Sequence, residues 1–193
     1  MARICSNYST KGCSDAICRT APHREGSGNS VARHAHSYPS SLRKRKRHDR
    51  AGIRERFVQD NHSYSVRNVV RGWHYQVRYP QGKLVRVVEG EILDVAVDLR
   101  LSSTTFGNWH AVTLSGQNKR MLWVLPGFAP GFRVLSEGAH VLYKATDFYH
   151  PECERTVLWN DPDLNIDWRL CDPAIVSRKD SLGSAFGAAE RFV

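Results

Sequence analysis

The chain has 193 residues, of which 41% are hydrophobic and 24% charged, so it holds enough apolar material for one substantial core. Its formal net charge of +9 would suit a nucleic-acid or membrane-surface protein, but residues 1–50 carry a net +8 and the remaining residues only +1. We therefore expect one nearly neutral soluble domain whose partner is not a nucleic acid, unless the basic segment supplies that function. No membrane span is expected, since no apolar run approaches the roughly 18 residues required.

Residues 1–50 differ in composition from the rest of the chain. They are rich in Ser, Arg, His and Gly, lack periodic apolar residues, and close on a basic run at 42–48. This composition predicts a disordered or loosely attached segment. A solvated tail, a nucleic-acid arm and a localisation signal are all compatible with it.

The five cysteines stand at positions 5, 13, 18, 153 and 171. Their number is odd and three of them lie in the basic segment, so no disulfide framework is predicted and a reducing cytoplasm fits best. The first three and His23 could be written as a zinc set, but their separations match none of the usual paired-ligand patterns.

From residue 57 onward the pattern is one of short strands rich in β-branched and aromatic residues, separated by Gly- and Pro-containing turns. The predicted strands are 64–70, 72–78, 84–88, 92–99, 110–114, 120–125, 132–135, 140–146 and 156–159. Many short strands at nearly regular spacing indicate a sandwich or barrel. Residues 174–192 could form a weak helix or an arm, and their periodicity does not decide between the two.

Two of the strand-like segments, 71–76 and 142–147, hold a possible base and a possible acid. His74 can take a proton near neutral pH and Tyr143 can return one, so the two facing each other across a pocket could invert a carbon centre. Taken singly, each has an ordinary structural interpretation, as a packed histidine and a buried strand tyrosine.

Four further blocks surround these two segments, at residues 57–63, 81–88, 94–100 and 159–164. The order of the six blocks resembles the dTDP-4-dehydrorhamnose 3,5-epimerase family over about residues 51–180. The resemblance implies an all-β fold, a cupin-type jelly roll at 51–193 with a C-terminal helical or arm segment. It also implies a homodimer.

The chemistry that the resemblance implies is epimerisation of dTDP-4-dehydro-6-deoxy-D-glucose at C3 and C5, which gives dTDP-4-dehydro-L-rhamnose for dTDP-L-rhamnose synthesis. Both carbons flank the C4 ketone, so removal of either proton gives an enolate whose oxygen carries the charge. A nearby cation lowers that barrier. The family uses no cofactor, and a nucleotide sugar is the implied partner.

Site residues follow from the same resemblance. His74 matches the family's base, Asp180 the aspartate that pairs with it, Lys83 the lysine and Tyr143 the acid. A carboxylate beside His74 would fix its tautomer and raise its pKa. The positions that match the family's substrate contacts are Gln59, Asn61, Arg71, Tyr149, Glu154 and Lys179, with the planar guanidinium of Arg71 suited to the diphosphate.

Metal binding is not expected. Cupins commonly hold a metal through a His-x-His pair, because residues i and i+2 of a strand share a face. His74 is followed by Tyr75 and Gln76, and the only such pair in the sequence is His34 with His36, in the basic segment. The residues therefore predict a metal-free acid/base site.

Two departures from the family pattern leave rival interpretations open. Pro130 stands where the family has a substrate-contacting histidine, and proline lacks both the imidazole and a backbone N–H, a serious loss in a central ladder. Residues 1–50 lack the family's first strand and its Asp-x-Arg-Gly-Phe-Phe turn, which suggests a displaced reading frame or a foreign fusion. The rivals are an impaired or inactive jelly roll that only binds a nucleotide sugar, and a nucleic-acid-binding protein driven by the basic segment.

Overall fold

The computed structural model describes residues 53–193, so the predictions made for residues 1–50, including those for His23, His34, His36 and the first three cysteines, lie outside the described part. The strands in this part are β1 (Gln59–Val66), β2 (Val69–Arg71), β3 (His74–Gln76), β4 (Lys83–Glu89), β5 (Glu91–Asp98), β6 (Trp109–Ser115), β7 (Met121–Val124), β8 (Phe128–Val134), β9 (Gly138–Ala145), β10 (Glu154–Thr156) and β11 (Ile175–Val176). Helical structure is limited to one α-turn, α1 (Arg178–Ser181), and two 3-10 turns, Pro151–Cys153 and Phe186–Ala188.

The strands form two facing sheets. One has the order β1-β9-β4-β7, the other has the order β11-β2-β8-β5-β6, and β3 and β10 form a separate two-stranded ribbon. All pairings are antiparallel except that of β11 with β2. The predicted all-β jelly roll is confirmed, and no helix of residues 53–193 is long and apolar enough to cross a membrane.

Strand β5 is apolar along nearly its whole length because both of its faces are covered. Ile92 and Ala96 face the core between the sheets, whereas Leu93, Val95 and Val97 pack outward against a second cluster. That second cluster includes Leu164, Trp168 and Ala189 from the C-terminal region. The continuous apolar run therefore reflects burial of both faces of β5. A strand with one exposed face would alternate apolar and polar residues.

The C-terminal region is an arm, not a helix, which answers the question that its periodicity left open. It crosses the outer face of the five-stranded sheet and places β11 parallel to β2, with Ile175 paired to Val69. The single turn α1 follows directly. The arm therefore brings α1 to the end of the sandwich where β3 and β10 lie.

Several predicted strand bounds were wrong. Residues 64–70 form two strands rather than one, because the chain reverses at Asn68, whose φ of 62° lies in the left-handed region that asparagine tolerates. The strand predicted at 132–135 begins at Phe128 and includes Pro130.

Pro130 lies inside a central strand without weakening its ladder to β5. Leu135 donates to the Glu91 carbonyl and Leu99 to the Gly127 carbonyl, and the register pairs Ala96 with Pro130. Hydrogen-bonded pairs alternate with non-hydrogen-bonded pairs in an antiparallel ladder, so the 96–130 pair is a non-hydrogen-bonded one. The proline nitrogen therefore points away from β5, past the end of β2. The expected loss of a backbone hydrogen bond does not arise between β8 and β5.

Candidate active site

A cleft of about 640 Å³ opens between the two sheets at the end where β3, β10 and α1 meet. All ten residues singled out from the sequence line it, although they come from seven separate elements and one loop. Such a volume suits a small organic ligand. The structure thus brings the predicted residues into one place.

Strand register explains why the four-stranded sheet presents several of them together. Asn61 and Val85 both pair with Tyr143, and Gln59 and Lys83 both pair with Ala145. Directly opposed residues share a face, and residues two apart on one strand share it too. One face of this sheet therefore presents the amides, the lysine and the tyrosine to the cleft.

Lys83 sits at the floor of this face. Its Nζ donates to the backbone carbonyl of His74 at 3.2 Å and lies 5.8 Å from the centre of the Tyr143 ring. Burial lowers the pKa of Lys83 to about 8, although the charge of Glu154 opposes this shift. The ammonium form still predominates at neutral pH, which places a positive charge in a poorly solvated cleft.

Tyr143 reaches the cleft from the middle of β9. Burial and the charge of Glu154 raise the pKa of its phenol, so the hydroxyl is protonated at neutral pH. A protonated phenol in this position is available as a proton donor.

His74 is held by a carboxylate. Its Nε2 lies 2.5 Å from Oδ1 of Asp180, a residue 3% exposed in α1. Asp180 is oriented in turn by Ser177, the N-cap of that turn, whose hydroxyl donates to Oδ2 at 2.6 Å. Burial raises the pKa of Asp180, but the bonds to His74 and Ser177 outweigh it and hold the carboxyl ionised.

The second nitrogen of His74 faces the cleft side of the ribbon. Nδ1 lies 3.3 Å from Oε1 of Glu154 and 3.3 Å from Oγ1 of Thr156, the residue paired with His74 across the ribbon. Burial lowers the pKa of His74, but Asp180 and Glu154 together raise it above its ordinary value of 6.5. The imidazole is thus flanked by two carboxylates.

Glu154 connects three of the predicted residues. It accepts hydrogen bonds from Lys179 and from the Tyr149 hydroxyl, the latter at 2.7 Å, in addition to its contact with His74. Burial raises the pKa of Glu154, but these bonds outweigh it and lower the pKa to about 2. Glu154 is therefore an anion at every pH at which His74 titrates.

These contacts predict a shift in the titration of His74. Replacing Glu154 by Gln removes a negative charge that stabilises the imidazolium, so we expect the pKa of His74 to fall. NMR titration of the imidazole measures this without any need for turnover. Glu152→Gln is the matched control, since Glu152 is exposed and contacts His150 rather than His74. An unchanged or higher His74 pKa in Glu154→Gln would contradict the assignment.

The remaining predicted residues are Arg71, Gln59 and Asn61, of which Arg71 lies at the rim, whereas the amide nitrogen of Asn61 is buried. Arg71 is exposed and its Nε donates to Ser65 at 3.0 Å, while the Gln59 side chain bonds both Asn61 and the backbone N–H of Tyr149. The Gln59 contact ties β1 to the loop that carries Tyr149. The guanidinium of Arg71 is left at the opening, where an anionic group could reach it.

Sequence reasoning missed three residues at the site: Asp94, Thr156 and Ser177. Asp94 lines the cleft and is 2% exposed. A carboxylate inside the apolar run of β5 was the available signal, because acidic residues are rarely buried without a reason. Ser177 could have been found as an N-cap three residues before Asp180. Nothing in the sequence distinguishes Thr156.

No group of three or more His, Cys, Asp or Glu side chains in residues 53–193 is arranged to hold a metal ion. The cleft is instead lined by acid, base and amide groups spaced around an open volume. Such an arrangement can bind an anionic ligand and transfer protons to and from it.

Comparison with known proteins gives the family. A sequence model described as dTDP-4-dehydrorhamnose 3,5-epimerase matches residues 32–187, and since it starts within the basic segment the boundary at residue 50 stays a prediction. The Pseudomonas aeruginosa dTDP-4-dehydrorhamnose 3,5-epimerase is 59% identical over 136 residues, which cover 70% of this chain and 75% of the relative.

Two solved structures share the fold. The Legionella pneumophila dTDP-6-deoxy-D-glucose-3,5-epimerase, in complex with dTDP-4-keto-L-rhamnose, has a TM-score of 0.73 and 47% identity, over 80% of each chain. The Bacillus anthracis dTDP-4-dehydrorhamnose 3,5-epimerase, with TDP and PPi bound, has a TM-score of 0.70 and 40% identity, over 73% of this chain and 81% of that one. The resemblance noted in the sequence is confirmed, and the chain belongs to the dTDP-4-dehydrorhamnose 3,5-epimerase family.

Proposed function

We propose that this chain epimerises dTDP-4-dehydro-6-deoxy-D-glucose at C3 and C5, and so supplies dTDP-4-dehydro-L-rhamnose for dTDP-L-rhamnose synthesis. The observation that carries the proposal is the His74–Asp180 pair on the wall of a cleft whose facing sheet presents Lys83 and Tyr143. The ligand of the Legionella neighbour, dTDP-4-keto-L-rhamnose, is the product of this reaction and supports the same substrate class.

In this mechanism His74 is the base. Its Nε2–H donates to Asp180, which leaves the lone pair of Nδ1 to take a proton from the sugar carbon. The electron pair of the broken C–H bond forms a C=C bond, and the carbonyl electrons move onto the C4 oxygen. Because Asp180 is ionised, it stabilises the imidazolium that results.

Lys83 and Tyr143 complete the step from the facing sheet. The ammonium of Lys83 stabilises the negative charge on the enolate oxygen, and a preorganised contact of this kind contributes about 3 to 4 kcal/mol to the transition state. The Tyr143 hydroxyl then protonates the carbon from the face opposite His74, which inverts the centre. Exchange with solvent afterwards returns a proton to the phenolate and removes one from the imidazolium.

We assign the nucleotide and diphosphate to the rim of the cleft. Arg71 and Lys179 supply positive charge at the opening, and the amides of Gln59 and Asn61 supply hydrogen bonds on the face of β1. Tyr149 and Glu154 close the side nearest His74 through their mutual hydrogen bond. A site with cations at its mouth and titratable groups at its floor suits a sugar attached to a diphosphate.

Deuterium exchange tests the proposal directly. We expect solvent deuterium to enter C3 and C5 of dTDP-4-dehydro-6-deoxy-D-glucose, and the inverted product to be trapped by a coupled 4-reductase. The rival function, binding of a nucleotide sugar without catalysis, has one supporting observation, the presence of Pro130 on the cleft wall. Tight binding of the substrate without deuterium entry would favour that rival.

Pro130→His tests whether proline impairs the site. We expect turnover to rise, because an imidazole would restore one polar contact worth about 1 to 3 kcal/mol. The substitution adds a backbone N–H that does not point at β5, so the ladder should remain intact. Pro130→Ala is the matched control, since it restores the N–H without an imidazole. If neither variant alters the turnover measured with the coupled reductase, proline does not impair this enzyme.

We also propose that the chain forms a homodimer in the cytoplasm. The support for the dimer is strand β1, an edge strand of the four-stranded sheet, whose outward residues Tyr64 and Val66 are 55% and 47% exposed. An exposed apolar edge of this kind favours pairing with a second chain. Sedimentation equilibrium of the full chain measures the mass, and a monomer at micromolar concentration would contradict the proposal.

A further inference from the structure

Asp94 is a buried acid on the cleft wall to which the mechanism above gives no part. It lies in the middle of β5, and within the described part of the chain its Oδ2 makes no hydrogen bond. A buried polar atom without a partner destabilises a fold, and such atoms are rare in native proteins. Its position on the wall of a ligand cleft suggests that the ligand supplies the missing partner.

The surroundings of Asp94 on its own sheet are largely apolar. The residues opposite it are Val112 on β6 and Phe132 on β8, and the diagonal neighbours on the same face are His110 and Pro130. Burial lowers the pKa of His110, so its imidazole is uncharged at pH 7. The two sheet neighbours on β8 contribute no side-chain polar atom.

Across the cleft the charged group that acts on Asp94 is Lys83. Burial nevertheless raises the pKa of Asp94 to about 8, although the backbone N–H of Val95 and the charge of Lys83 lower it. The raised pKa favours the protonated carboxyl over the carboxylate, and Oδ2 has no hydrogen-bond partner among the described residues.

We propose that Asp94 is a neutral hydrogen-bond donor of this site, which donates beside Lys83 to the sugar oxygen that gains negative charge. This inference rests on the proposed function. The proton leaving carbon goes to His74, the electron pair ends on the carbonyl oxygen, and Asp94 keeps its own proton throughout. A carboxylic acid held neutral by an apolar site can stabilise an enolate in this way, and a second preorganised donor adds to the effect of the lysine.

The described part of the five-stranded sheet offers few other polar groups to the cleft. Among the described residues of the five-stranded sheet that line the cleft, the ionisable ones are Arg71 and Asp94. The Arg71 side chain lies at the exposed rim and bonds Ser65, so Asp94 is the ionisable group that this sheet supplies in the interior of the cleft.

The test compares Asp94→Asn with Asp94→Ala. Asparagine keeps the size and the donor capacity without a charge, so we expect kcat at neutral pH to fall by less than about tenfold, whereas alanine should lower it by about 10² to 10³-fold. Binding of dTDP, which lacks the sugar, should be unchanged in both variants, which also shows that they are folded. Asp94→Ala should not melt below the unsubstituted chain, since it removes the buried Oδ2 that has no partner among the described residues.

Infrared difference spectra of the ligand-free chain provide a second measurement. The carbonyl stretch of a protonated carboxylic acid should be present at neutral pH and absent from Asp94→Asn. A missing band, an asparagine variant as slow as the alanine variant, or an alanine variant as fast as the unsubstituted chain would each overturn the assignment of Asp94. Failure of the proposed function gives a different result, in which the unsubstituted chain itself neither exchanges deuterium nor turns over.

Discussion

His74→Ala should abolish deuterium entry at both C3 and C5, because one base serves both steps. Loss of a general base costs about 10² to 10⁴-fold in rate, and within residues 53–193 the other side chain bonded to Asp180 is the Ser177 hydroxyl, which is not a base at neutral pH. His74 lines the open cleft, so its removal widens the cleft and leaves no closed cavity in the core. We therefore expect an inactive chain with an intact fold, measured by exchange into the sugar and by circular dichroism.

His62→Ala is the matched control for this substitution. His62 lies on the outward face of β1 and contacts His140 at 2.9 Å, away from the cleft. Its removal should leave exchange unchanged. Loss of the sheet signal in His74→Ala would make His74 a structural residue, and retained exchange with an intact fold would exclude it as the base.

The strand series was predictable because it depends on local chemistry. Short runs rich in β-branched and aromatic residues, separated by Gly- and Pro-containing turns, locate β4 to β7 and β9 to within two residues. Strand β8 was placed too late because proline is normally excluded from central strands. Whether its nitrogen points at a neighbour depends on the register with β5, which the sequence does not contain.

The site was predictable as a set of residues but not as an arrangement. The pairing of His74 with Asp180 joins positions 106 apart, and it requires the C-terminal arm to lay β11 beside β2. Periodicity left that arm undecided between helix and extended chain. The family resemblance identified Asp180 as a site residue. The 2.5 Å distance from Asp180 to His74, and the N-cap Ser177 that orients Asp180, are known only from the fold.

The environment of Asp94 could not be predicted from the sequence. Its burial follows from a strand covered on both faces, and its missing partner follows from the apolar residues opposite it on β6 and β8. Neither fact can be read from the strand's own sequence, which shows only one acid among apolar residues. The functional question about Asp94 arises only when the two sheets are brought together.

Tyr143→Phe should separate proton removal from inversion. The substitution deletes one hydroxyl that makes no hydrogen bond within residues 53–193, so the fold should be unaffected. His74 would still remove a proton and return deuterium to the same face, and exchange at C3 and C5 should continue. Inverted product should fall by about 10² to 10⁴-fold, because no acid remains on the opposite face.

Tyr149→Phe is the discriminating partner of this experiment. The cleft lining also includes Tyr75, but its hydroxyl donates to the Glu190 carbonyl at 2.6 Å, which leaves Tyr149 as the alternative acid. Its hydroxyl already donates to Glu154 at 2.7 Å, and this bond raises its pKa to about 12, which makes it a poor acid. We expect Tyr149→Phe to keep producing inverted sugar, with at most a change in the ratio of C3 to C5 reaction. If Tyr149→Phe exchanges without inverting while Tyr143→Phe turns over normally, the acid is Tyr149. Full turnover by both variants would require a proton donor other than either tyrosine, and the hydroxyl group of Tyr143 would then have no part in the reaction.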